Sequence, residues 1–191
     1  MTSVLVTGGG ERLNEVAEAI RATGAETTVV DTLDRLGEAV RDTTFDAYVQ
    51  LPVAMTPRSG SLVSRVEQFL SEGLLSRFRA AETVLPHLAD SATVILVGGQ
   101  TNVDIDAPDD QQARTALMRV LAHALRAERA PAHLRVRTAG PDWSGADIAA
   151  KIDGPEPEGS STPVQTGNRE AIGKAYADWR AEVLGLVRAE F

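Results

Sequence analysis

Residues 3–14 read SVLVTGGGERLN, and the way this stretch ends bears on both fold and function. Val4, Leu5 and Val6 make a short unbroken apolar run that passes into Thr7 and three glycines, Gly8, Gly9 and Gly10. Such a run reads as a buried strand leaving through a turn that only glycine makes easily. Beyond it, Leu13, Val16, Ala17 and Ile20 share one face of a helix over 13–23, and Gly24 stands where a helix is capped. Strand, glycine turn and helix together form the opening of a phosphate cradle. Glycine lets backbone N–H groups approach an anion, and the helix amino end adds partial positive charge. A dinucleotide turn wants two further glycines where this chain has Arg12 and Asn14. Side chains there crowd the pyrophosphate path, although an arginine can also bind phosphate directly in another geometry. The plainer alternative is a strand-to-helix turn that uses glycine for tightness.

Working outward, strand and helix patterns alternate. ETTVVD (26–31) reads as a second strand, and TLDRLGEAVRD (32–42) as a short helix with Leu33, Leu36 and Val40 on one side. FDAYVQLPV (45–53) reads as a third strand, stopped by Pro52. AMTPRSGS (54–61) is a loop. One long amphipathic helix is expected from about Leu62 to Leu88, carrying Phe69, Leu70, Leu74, Phe78, Ala81, Leu85 and Leu88. ATVILVGG (92–99) is a fourth strand, followed by a polar, acidic loop over 100–111. A helix over 111–128 places Leu117, Val120, Leu121, Ala124 and Leu125 inward, and HLRVRTAG (133–140) is a fifth strand. Ser144 is placed to cap the helix GADIAAKI (145–152). Residues 153–167 are rich in Pro, Gly and Ser and read as an exposed loop. Asn168 can cap a last helix over 168–191, with Ile172, Tyr176, Trp179, Val183 and Val187 on its apolar side.

This alternation predicts one α/β domain over 1–191, a three-layer Rossmann-like sandwich. A parallel sheet of about five strands in the order 2-1-3-4-5 carries helices on both faces. The cleft is expected at the carboxyl ends of strands 1 and 3, where the strand order reverses. Composition narrows the function classes. The 191 residues are 43% apolar and 24% charged, contain no cysteine, and carry a formal charge of −8. Disulfides and thiolate metal sites are excluded. The acidic balance argues against nucleic-acid binding, which needs clustered Lys and Arg. No stretch approaches the roughly 20 apolar residues of a membrane span, and the first residues carry no basic-then-apolar signal. The expectation is a cytoplasmic protein with neither membrane nor nucleic-acid partners.

Several segments resemble the short-chain dehydrogenase/reductase family: VLVTGGG (4–10), TVLPHLADSATVILVGG (83–99) and ALMRVLAHALRAERAPAHLRVRTAGP (116–141). The likeness covers roughly residues 3–142 and is one of segment order and apolar pattern. It implies a cofactor-binding set of Thr7, Gly8, Gly9, Gly10, Arg12 and Asp31. Asp31 ends strand 2, where the family often places an acid on the adenosine ribose, which favours NAD. Asp31 or Thr32 capping the next helix is the competing reading.

The resemblance also implies a chemistry whose residues are not present. The family ends its third strand in Asn-Asn-Ala-Gly, where this chain has Gln50, Leu51, Pro52 and Val53. Its tyrosine place falls on Asp110, its lysine place on Arg114, its serine place near Gly98 and Gly99, and its helper asparagine near Gly73. The only tyrosines are Tyr48 and Tyr176, and neither is followed by lysine four residues on. Asp110 and Arg114, four apart, pair as an ordinary helix-start ion pair. That pairing keeps the carboxylate ionised and unable to donate a proton at neutral pH. Asp104, Asp106, Asp109 and Asp110 lack the central glycine and terminal glutamate of a calcium loop, and His87, His123 and His133 are scattered. Trp143 either lines the cleft or packs in the core. Between Asp31 and Phe45 there is room for one helix, where the family has helix, strand and helix. The missing strand normally helps cover the adenine.

The sequence therefore points to a family-like protein without the Ser-Tyr-Lys set. No catalytic residues, metal or cofactor are expected, with NAD the candidate if any is bound. The expected role is a non-catalytic subunit or binding protein. The family pairs its two long helices with those of a second chain, which implies a homodimer or a heterodimer with a related subunit. The alternatives are an NAD-dependent oxidoreductase with an atypical site, and a small-molecule sensor.

Overall fold

A computed structural model of the chain describes residues 1–53, 61–98, 118–127 and 134–154, the side chains of Leu62, Arg65, Val66 and Phe69 excepted. Outside the described residues lie the acidic loop 100–111, Asp110 and Arg114, Leu117, most of the loop 153–167 and the helix expected over 168–191. The reading of 1–191 as a single domain therefore extends beyond them.

Five strands form one parallel sheet: β1 (Ser3–Thr7), β2 (Glu26–Val30), β3 (Phe45–Gln50), β4 (Leu88–Val97) and β5 (Arg135–Ala139). Their order is β2-β1-β3-β4-β5, as the alternation predicts. Val4 pairs with Thr27 on one side and Ala47 on the other, while Thr7 stands beside Val30 and Gln50. The carboxyl ends of β1 and β3 are thus level at the point where the order reverses.

The helices are α1 (Glu11–Arg21), α2 (Leu36–Val40), α3 (Leu62–Gln68), α4 (Ser76–Val84), α5 (118–127) and α6 (Gly145–Ile152). Because strand side chains alternate, the sheet has two apolar faces, and each has its own helices. Leu5, Tyr48, Val94, Leu96 and Val136 pack with Leu36, Val84 and Leu121, under α2, α4 and α5. Val4, Val6, Val49, Ile95 and Val97 pack with Leu13, Val16, Ile20 and Ile148, under α1 and α6. Ser144 caps α6 as expected. Its hydroxyl accepts from the Asp147 N–H at 3.1 Å, and the Asp147 carboxylate accepts from the Ser144 N–H at 3.0 Å.

Two boundaries differ from the sequence reading. The helix expected over 62–88 changes its winding. A π segment, Phe69–Leu75, joins α3 to α4, and a 3₁₀ turn, Leu85–His87, ends the run. Ser71 donates to the Glu67 carbonyl at 2.7 Å, and Ser76 donates to the carbonyls of Glu72 and Gly73. Hydroxyls bonded back to the preceding turn, around a glycine, are what loosens a helix locally. Strand β4 starts at Leu88, four residues before Ala92. Phe45 pairs with Leu88 and Ala47 with Thr93, so the ladder carries an irregularity there. Exposed Asp90 and Ser91 on that irregular stretch break the apolar run by which a buried strand is recognised.

Candidate functional site

The turn after β1 is shaped by close packing. Gly8 has φ +148°, and a Cβ on it would lie 2.5 Å from the Leu51 Cβ at the end of β3. No other residue fits there. Its N–H donates to the Val30 carbonyl at 3.3 Å, and the Gly9 N–H donates to the Pro52 carbonyl at 3.3 Å. The Leu51 N–H in turn donates to the Thr7 carbonyl at 2.7 Å. Pro52, which the sequence marks as a departure from the family pattern, is therefore a bonding partner of the turn. Gly10 has φ +77° and ψ −171° and stands at the N-cap of α1 with open space around it.

Helix α1 begins at Glu11, two residues earlier than its apolar pattern suggests. Asn14 therefore lies on an exposed side of the helix. Arg12 is half-buried and reaches across to the turn after β5. Its guanidinium donates through Nη1 to the Pro141 carbonyl and through Nη2 to the Trp143 carbonyl, the latter at 2.6 Å. One turn further on, the Glu15 carboxylate accepts from the Gly145 N–H at 3.0 Å. A Cβ on Gly145 would lie 3.1 Å from Ala19 Cβ and from the Glu15 carbonyl, so α1 and α6 run in close contact. The turn Gly140–Trp143 is closed by the Trp143 N–H on the Gly140 carbonyl at 3.4 Å, and Trp143 packs against the core under α1 and α6.

Behind the turn lies a buried polar group that the sequence reading misses. The Thr7 and Tyr48 hydroxyls pair at 3.0 Å, and Gln50 Nε2 donates both to the Tyr48 hydroxyl at 3.0 Å and to the Arg77 carbonyl at 2.9 Å. Arg77 returns two bonds to Gln50, Nε to Oε1 at 3.0 Å and Nη2 to the main-chain oxygen at 3.1 Å. All four residues are buried. Burial brings the Arg77 guanidinium down to about 10, slightly opposed by Tyr48, and still leaves it charged at neutral pH. Burial pushes the Tyr48 phenol up, against the bonds from Thr7 and Gln50. The signal was in the sequence. Thr7 shares a strand face with Leu5, and Gln50 shares one with Tyr48. Arg77 stands three and four residues before Ala80 and Ala81, on the buried side of α4.

The remaining candidates are spread out. Asp31 is exposed just past β2, and Thr32 takes the N-cap position of the 3₁₀ turn Leu33–Arg35 without a side-chain cap bond. Gly98 donates to the Ala139 carbonyl at 2.8 Å and leaves no hydroxyl at that place. Tyr48, the only tyrosine among the described residues, is 1% exposed and cannot reach a substrate. No metal-holding group of His, Asp and Glu occurs among the described residues. No helix among them is long and apolar enough to cross a membrane. A cavity of about 410 Å³ lies at the other end of the sheet, lined by Met1, Thr2, Asp46, Ser91, Arg135 and Asp153.

Two of the glycine N–H groups are taken up by Val30 and Pro52, and Arg12 bridges the space between α1 and the turn after β5.

No protein-family model matches the chain, and no curated protein matches it. Solved structures do. A short-chain dehydrogenase/reductase from Serratia marcescens superposes with a TM-score of 0.56 at 18% identity, over 79% of this chain and 87% of that one. BdcA from E. coli gives 0.54 at 16% identity, over 81% and 90%. A small-chain dehydrogenase gives 0.59 at 17% identity, over 78% and 87%. At these identities the likeness is one of fold: the chain has the Rossmann-like fold of the short-chain dehydrogenase/reductases.

Proposed function

We propose that this chain is a short-chain dehydrogenase/reductase-like protein that has given up the family's Ser-Tyr-Lys chemistry and its dinucleotide. In this reading it acts through its surface, as a non-catalytic subunit or binding protein in a dimer. The observation that carries the reading is Arg12. A side chain stands where the family pattern has glycine, and its guanidinium holds two carbonyls of the turn after β5. An arginine so engaged fills the path a pyrophosphate needs, and the buried Tyr48 offers no proton donor in its place.

Calorimetry with NAD⁺, NADH, NADP⁺ and NADPH tests this. The expected result is no saturable binding, and a dissociation constant in the low micromolar range for any of the four overturns the reading. The second reading, an NAD-dependent oxidoreductase with an atypical site, has one observation in its favour. Asp31 is exposed at the carboxyl end of β2, open to a ribose. If a nucleotide binds, Asp31→Ala weakening NAD⁺ binding selectively is the result that promotes it.

A further inference from the structure

We propose that Arg12 is a built-in strap: it ties the turn Gly140–Trp143 to the first turn of α1 and so orders that turn. The inference rests on the reading of Arg12 given above and adds what orders the turn.

Among the described residues the turn after β5 has few other hydrogen bonds. Its own bond, from the Trp143 N–H to the Gly140 carbonyl, is long at 3.4 Å. Beyond it, α6 is fixed by the Ser144–Asp147 cap, by Glu15 on the Gly145 N–H and by the tight contact of Gly145 with α1. Residues 141–143 lie between these fixed points, and two of their three carbonyls point to one guanidinium. The two carbonyls are two residues apart in the chain. A planar fork with donors on separate nitrogens takes both in a fixed geometry, whereas an ammonium must reach both from one nitrogen on a flexible stem. Among the described residues Arg12 has no carboxylate within ion-pair distance, so its charge is directed wholly at the turn. The chain joins α1 and the turn itself, and the order of the turn does not wait on a ligand.

Trp143 reports on the strap directly, because Arg12 holds its carbonyl and its ring is half-buried. The only other tryptophan, Trp179, lies outside the described residues and is replaced by Phe to leave one reporter. Acrylamide quenching of Trp143 is then compared in this parent protein and in its Arg12→Ala and Arg12→Lys variants, with far-UV circular dichroism confirming the fold. The expected result is a rise of about two-fold or more in the quenching constant for Arg12→Ala. Arg12→Lys is expected to lie nearer to alanine than to the parent. Millimolar NAD⁺ or NADP⁺ should leave the parent's quenching unchanged. Should Arg12→Ala fail to fold, Arg12→Lys decides: increased quenching supports the strap and parent-like quenching overturns it. A folded Arg12→Ala with parent-like quenching also overturns it, as does a nucleotide that alters Trp143 in the parent. The two readings fail separately. Nucleotide binding in the calorimeter with Trp143 still shielded by Arg12 sinks the proposed function and leaves the strap. No binding, together with an indifferent Arg12→Ala, does the reverse.

Discussion

Arg77 and Gln50 bond to each other three times: Arg77 Nε to Gln50 Oε1 at 3.0 Å, Arg77 Nη2 to the Gln50 main-chain oxygen at 3.1 Å, and Gln50 Nε2 to the Arg77 main-chain oxygen at 2.9 Å. The pair fastens α4 to the carboxyl end of β3, inside the protein and without a carboxylate. A charge held by amide groups in the core is costly to leave half-paired. Arg77→Met removes the donors to Gln50 Oε1 and to the Gln50 main-chain oxygen and should lower stability by about 2–3 kcal/mol. The double variant Arg77→Met/Gln50→Leu removes both sides and should cost clearly less than the two single changes summed. Urea denaturation of the four proteins gives the coupling. Single effects that add to within about 0.5 kcal/mol mean the two residues act independently and sink the idea.

Alkaline pH should act on the same group through Tyr48. Its phenol is raised above the ordinary value by burial, so the folded protein holds this proton where the unfolded chain has lost it. The stability from Tyr48 is complete below the unfolded value of about 10 and is lost as pH rises above that, by up to about 1.4 kcal/mol per unit. Arg77 works the other way. Its folded value of about 10 lies below the ordinary guanidinium range, so above about pH 10 the unfolded chain holds a proton the folded one releases, and the Arg77 contribution rises with pH there. Comparing the protein with Tyr48→Phe isolates the tyrosine: the parent should lose stability more steeply above pH 10. Absorbance at 295 nm should show one of the two tyrosines ionising late. Two tyrosines titrating together at the ordinary value remove the basis for this prediction.

Gly8 and Gly10 should respond differently to alanine. At Gly8 both the backbone angle and the space forbid a side chain, since Leu51 Cβ would be 2.5 Å away. The loss should exceed about 3 kcal/mol, with β1, β3 and the turn all having to shift. Gly10 has open space, so only its φ of +77° opposes a Cβ, at roughly 1–3 kcal/mol. Thermal unfolding ranks the two. Equal, small effects would mean that the turn is free to rearrange and that its glycines are not there for packing.

How far the sequence reaches is visible in these residues. The sheet order follows from strand-helix alternation, because parallel strands need crossovers and a short chain has few ways to arrange them. The Ser144 cap was legible because capping is local, set by residues three apart. The role of Arg12 was not, since its partners are about 130 residues away and its substitution for glycine shows only what it disturbs. The Thr7–Tyr48–Gln50–Arg77 group was missed for a related reason. Each polar residue looks like a surface position until three elements are brought together. The start of β4 was read late because its first paired residues include exposed Asp90 and Ser91.

The last prediction concerns assembly, where the structure changes which residues to test. Leu74 and Phe78, apolar residues of the long helix, are partly buried and pack on the core under α4. Leu121, which the sequence pattern places inward, is 2% exposed. Among the described side chains of the α3–α4 run, those apolar and left in solvent are Val63 at 64%, Leu70 at 44% and Leu75 at 47% exposed. Single exposed leucines need no explanation, but three along one helical run make a candidate seam for a two-fold dimer. Leu70→Glu and Leu75→Glu place a charge in such a seam without touching the core. Sedimentation at tens of micromolar should show a dimer for the parent and a monomer for either variant, with circular dichroism unchanged. Leu74→Glu is the control, because it should damage folding as well as assembly. A parent protein that sediments as a clean monomer, with no related chain co-purifying from its source, removes the dimer. The exposed leucines would then have to be covered by residues of the chain outside those described.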